Sequence, residues 1–198
     1  MLSVNTTVIA VVAPPAAGTG DAGPLDDVRA TNVRVLRIDA DAPALERAAS
    51  AYEQARRTRT PYLLHDADPL AWVADAWAQR FEGPNVAGAL EVAVAETLAR
   101  WRARSLDLPD YYLVVDPEGF SPVLRHWFLG VLGSAAPRRV VTGRPEAPVV
   151  DRLVDLRPGP WWPDLDRLLA DLDRILPEQA GLGPAPQAGG EALATPIT

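Results

Sequence analysis

The sequence predicts an α/β fold built on a mostly parallel sheet of five or six strands. Two observations carry this. Short, β-branched and largely apolar runs alternate with longer stretches whose apolar residues recur at the 3.6-residue helical period. Several of the short runs are apolar almost throughout, as strands covered on both faces require. Such alternation places strands parallel with helices on both faces, a Rossmann-like three-layer arrangement.

The predicted strands are Thr7–Val12, Val33–Ile38, Tyr62–His65, Tyr111–Val115, Arg139–Thr142 and Arg152–Leu156. Five helices fall between or after them. Leu45, Ala48, Ala49, Tyr52 and Ala55 share a face, after Asp41 as cap and Pro43 in the first turn. Asp68-Pro69 opens the second, with Leu70, Val73, Ala74, Trp77 and Phe81. Leu90, Val94, Leu98 and Trp101 mark the third, and Ser121-Pro122 caps a fourth carrying Leu124, Trp127, Phe128 and Val131. The clearest period is the last: Leu165, Leu168, Leu169, Leu172, Ile175 and Leu176. One connection strains this layout. Gly143 to Asp151 is nine residues with two prolines, too short for a helical crossover. Either the fifth and sixth strands pair antiparallel, or one of them is not a strand.

No repeat is visible, so residues 1–178 read as one α/β domain. Residues 179–198 have no apolar period and read as a flexible Ala/Gly/Pro-rich tail. The 198 residues carry a net charge of −7, which argues against a nucleic-acid partner, since that binding depends on neutralising phosphates. No apolar run approaches the ~20 residues that span a bilayer, so no membrane is expected and the cytoplasm is the expected location. There is no cysteine, and all 19 basic residues are arginine. Thiol catalysis, Cys-ligated zinc, Schiff bases and a phosphate-loop lysine are closed to the chain acting alone. The skew towards Ala, Arg, Pro, Gly and Leu is that of a high-GC genome, as in many bacteria.

In open parallel sheets, ligands bind beyond the carboxyl ends of the strands. There the chain places Asp39, Asp66, Asp116, Glu118 and Arg144. Asp39, Asp66 and Asp116 are the candidates for a hard cation, although aspartate is equally the favoured helix cap at such positions. Gly18-Thr-Gly-Asp-Ala-Gly23 matches the dinucleotide-binding string, but it starts six residues after Val12 and leaves too little chain for the helix the motif needs. No cofactor is assigned. His65 beside Asp66 is a candidate acid or base, with Asp116 and Ser121 as possible companions. No nucleophile elbow accompanies them.

Six tryptophans are many for this length. Trp161 and Trp162 lie in a proline-stiffened segment with Arg157, and Trp and Arg are the residue types enriched at interface hot spots. Arg56, Arg57 and Arg59 form a basic cluster that reads first as a solvated helix end. Two classes of function follow. The favoured one is a non-catalytic accessory protein that binds a protein partner through Trp161, Trp162 and Arg157. The alternative is a metal-assisted enzyme or small-ligand binder using Asp66, Asp116 and His65.

Overall fold

The computed structural model describes residues 6–15, 23–83, 86–159 and 162–177. Gly18, Gly20, Trp161 and the expected tail at 179–198 lie outside the described residues. The sheet is wholly parallel and five-stranded, in the order β2-β3-β1-β4-β5. Its strands are β1 (Thr7–Val12), β2 (Val33–Val35), β3 (Tyr62–His65), β4 (Tyr111–Val115) and β5 (Val140–Gly143). β1 is central, with Ile9 opposite both Leu64 and Tyr111. Every one of its residues is buried, which is why it reads as an unbroken apolar run.

The faces of the sheet are covered differently. Val8, Ala10, Val12, Leu63, Tyr112 and Val114 meet the α-helices. These are α1 (Ala44–Arg57), α2 (Ala71–Glu82), α3 (Ala89–Arg102), α4 (Pro122–His126) with its continuation, and α6 (Leu165–Ala170). Ile9, Val11, Leu64, Tyr111 and Leu113 meet Leu25, Val149, Leu153 and Leu156, which come from turns and a 3-10 helix (Val149–Arg152). Crossover handedness explains the asymmetry. β1 to β2 steps one way along the sheet, and every later step runs the other way, so a single hand puts one connection on one face and three on the other.

Three expectations need correction. Arg152–Leu156 is not a sixth strand but turn and 3-10 structure. Its buried residues are Val149, Leu153 and Leu156, spaced by four and three as in a helical turn, not by two as in a strand. The short connection after β5 therefore never has to cross the sheet. The last helix stops at Ala170 and tightens into a 3-10 turn at Leu172–Arg174. Pro177 disfavours helical backbone before it, and Ile175 is already extended. Leu169 and Leu172 are buried as expected. Asp41 does not cap α1, which starts after Pro43 without a side-chain cap, while Asp41 gives its own N–H to Asp39 Oδ1 at 3.1 Å.

α4 runs without a break into a π-helical segment (Trp127–Leu132) and a last turn, α5 (Gly133–Ala135). Glycine is required inside this bulge. A Cβ on Gly130 would lie 2.0 Å from the imidazole of buried His126. Among the described residues, no helix is long and apolar enough to cross a membrane.

Candidate functional site

The carboxyl edge does not gather its acids into one centre. Asp39 is exposed and holds the Asp41 amide. Asp66 is exposed and pairs with Arg47 at 3.3 Å. Asp116 ends β4 in left-handed backbone (φ 49°, ψ 62°), with its N–H on the Gly143 carbonyl. Glu118 pairs with Arg125. Among the described residues, no three His, Asp or Glu side chains are placed to hold a metal ion. Ser121 is a cap: its Oγ accepts the Leu124 N–H at 3.2 Å and donates to Glu82 Oε2 at 2.9 Å.

His65 points away from this edge into the helical layer. It lines a cleft of about 20 Å³, no larger than a water, with Val8, Asp107 and Pro109. Burial pushes its pKa down to about 4, against the opposing pull of Asp66, so its imidazole is neutral at pH 7. Asp68 is also buried. Its Oδ1 accepts the Leu70 N–H at 2.8 Å and the Tyr112 hydroxyl at 2.7 Å. Burial raises it to about 6, although both hydrogen bonds favour the carboxylate. The expected cap at Asp68 is thus a hydrogen-bonded turn that also ties the entry to α2 onto β4.

The opposite, amino edge carries the organised polar structure, centred on residues that the sequence reading passed over. Asp110 accepts the Val8 N–H on Oδ2 at 2.8 Å and the Gly159 N–H on Oδ1 at 2.9 Å. Arg139 is buried with its guanidinium 4.5 Å from the centre of the Tyr111 ring. It donates to the carbonyls of Asp110 and Arg157 at 3.1 and 3.2 Å. The Tyr111 hydroxyl accepts the Arg157 N–H at 3.2 Å. Trp162 gives its indole N–H to the Pro109 carbonyl at 2.7 Å and sets its ring edge-on to Tyr112. Arg157 turns its own guanidinium onto the carbonyls of Val154 and Leu156. Of the expected partner-binding residues, Trp162 and Arg157 therefore hold the chain to itself, and Trp161 lies outside the described residues.

Beside this latch a groove of about 340 Å³ opens between α1, the end of α3 and the loop leading to β4. Tyr52, Trp101, Arg102, Arg104, Leu106 and Asp107 line it. Leu106 is buried against Leu45 and Ala48 beneath the groove, which leaves the half-buried rings of Tyr52 and Trp101 as its accessible apolar surface. Arg56 lies over the Tyr52 ring at 5.8 Å. Arg102 reaches across to pair with Asp166. Arg104 is exposed and has φ 56°, at the helix end where glycine is favoured. Volumes of this order are those of ligand sites, and arginine with aromatics is the composition of binding hot spots.

Compared with known proteins, the chain matches no family model, no curated protein and no solved structure. The site therefore has to be read from its own chemistry. The signal that could have pointed to it is Trp101-Arg-Ala-Arg104 running straight into Leu106-Asp107, cationic and aromatic residues crowded where a helix stops.

Proposed function

We propose that the protein is a non-catalytic binding module that engages a partner protein through a groove in its helical layer. The groove at Tyr52, Trp101 and Leu106, rimmed by Arg102 and Arg104, is the observation that carries this reading. It offers apolar area that is already formed, so little ordering entropy is lost when a partner covers it. Asp66, Glu118 and Asp39 of the carboxyl edge are occupied with Arg47, Arg125 and the Asp41 amide, and the acids of this edge form no shared centre among the described residues. The test is capture from the native host, with bound proteins identified by mass spectrometry. A partner held by the wild type and by Asp66→Asn, but lost by Arg104→Glu, supports the groove. A partner lost only by Trp161→Ala moves the interface to the segment at 157–162.

The alternative, a small-ligand or metal-assisted site at the carboxyl edge, is favoured by one observation. Asp116 holds left-handed backbone at the end of β4, beside the central strand, and non-glycine residues in that region cluster at functional sites. Gly119 accommodates it, since a Cβ there would come within 2.5 Å of Asp116 Oδ2. Stabilisation by Mg²⁺ or Mn²⁺ that disappears in Asp66→Asn and Asp116→Asn would favour this reading over the first.

A further inference from the structure

We infer that the groove takes an acidic protein segment carrying one large apolar side chain, which would rest against the rings of Tyr52 and Trp101 while its carboxylates meet Arg104 and Arg56. This rests on the binding-module reading and names the chemistry of the partner.

The first support is charge complementarity. The chain as a whole carries −7, yet three arginines stand on or beside this groove: Arg102 and Arg104 in its lining, and Arg56 over the Tyr52 wall. Arg102 already has Asp166 as a partner. The ion pair of Arg56, to Glu53, is loose at 3.8 Å. No ion pair involves Arg104 among the described residues, so its guanidinium is the charge most available to an incoming carboxylate. A carboxylate meets a guanidinium in a two-pronged, charge-assisted geometry that a neutral partner cannot match.

The second support is the backbone of Arg104. The Ala103 N–H bonds back to Ala99 and Trp101, the Arg104 N–H to Trp101, and the Ser105 N–H to Arg100, closing the end of α3. This termination sets Arg104 at φ 56°, where an L side chain is unfavourable and glycine is not. Arginine there costs stability, and no ion pair of its side chain offsets that cost among the described residues. That is the pattern of a residue kept for what it binds.

Asp107 provides an internal control. It lines the same groove, so its carboxylate opposes an acidic ligand. Its Oδ1 accepts the Leu108 N–H at 2.9 Å, a bond the carbonyl of an asparagine can keep.

The experiment titrates the full chain with three fluorescent nine-residue peptides: glutamates and aspartates around a central leucine, the same peptide with lysines for the acids, and the acidic peptide with serine for leucine. An oligothymidylate is the fourth probe. The acidic leucine peptide should bind, and weaken as salt rises from about 50 to about 300 mM, because exposed ion pairs are screened. The lysine peptide should not bind, and the serine peptide should bind more weakly. Arg104→Gly should raise the melting temperature yet lose about tenfold in affinity, whereas Asp107→Asn should gain affinity. Equal binding by Arg104→Gly, equal binding of the lysine peptide, or tighter binding of oligothymidylate would each overturn the inference. If a host protein is captured through the groove while the acidic leucine peptide does not bind, this inference fails and the binding-module reading stands. If neither binds, both fail.

Discussion

Trp162 reaches across the amino edge of the sheet to give its indole N–H to the Pro109 carbonyl, 2.7 Å away. That bond gives Trp162 a structural role besides the partner-binding one its sequence context suggests. Three prolines, an arginine and adjacent tryptophans look like a docking segment, but the described part of it is fastened to β4 and its flanks. Trp162→Phe keeps the ring beside Tyr112 and removes the donor. It should cost about 1–3 kcal/mol, the penalty for leaving a largely buried carbonyl unsatisfied. The denaturant midpoint measures this, and host-partner capture should be unchanged.

Asp110 ties the same segment from the other side, with one carboxylate oxygen on Val8 and the other on Gly159. Asp110→Asn can accept only one of these amides. The expected loss is about 1–3 kcal/mol. Amide exchange at Gly159 or Val8 should speed up while the helical layer stays protected. Unchanged exchange at both would mean that the carboxylate is not the tether.

His65 and Asp68 should oppose each other as pH changes. The folded pKa of Asp68 is raised from 3.8 to about 6, so its contribution is fully present below pH 3.8 and is lost as pH rises through 6. The folded pKa of His65 is lowered from 6.5 to about 4, so its contribution is present above pH 6.5 and is lost as pH falls through 4. Each slope is about 1.4 kcal/mol per pH unit, and the two windows overlap with opposite signs. Relative to wild type, Asp68→Asn should lose stability as pH falls from 6 to 4. His65→Gln should lose it as pH rises over the same range. Parallel curves for wild type and both variants would contradict this.

Leu172 fills the space between the shortened last helix and Trp77, whose indole N–H meets the Leu172 carbonyl at 3.3 Å. Leu172→Ala removes a side chain that is 2% exposed and should cost about 2–5 kcal/mol. A denaturant midpoint equal to that of the wild type would mean that this turn is not packed on α2.

How far the sequence could be read depended on what each residue faces. Thr7–Val12 and Tyr111–Val115 were legible because burial on both faces leaves a continuous apolar run. Arg152–Leu156 misled because five residues with apolar Leu153, Val154 and Leu156 suit a strand and a 3-10 turn equally, and only packing against Ile9 and Leu113 decides between them. The capping role of Ser121 was legible because capping is local. The inward turn of Trp162 was not, since it depends on Pro109, which lies 53 residues away. The groove was hidden for a similar reason. Tyr52 and Trp101 sit on separate helices, each reading as an ordinary half-buried position, and only the fold brings them to one groove.

Whether the helical groove or the carboxyl edge of the sheet binds is measured most directly by hydrogen exchange on the full chain, alone and saturated with the acidic leucine peptide. Slowed exchange is expected at 52–57 and 101–107, with 66–70 and 116–121 unchanged. Slowed exchange at 66–70 and 116–121 instead would place binding at the carboxyl edge and contradict the groove reading.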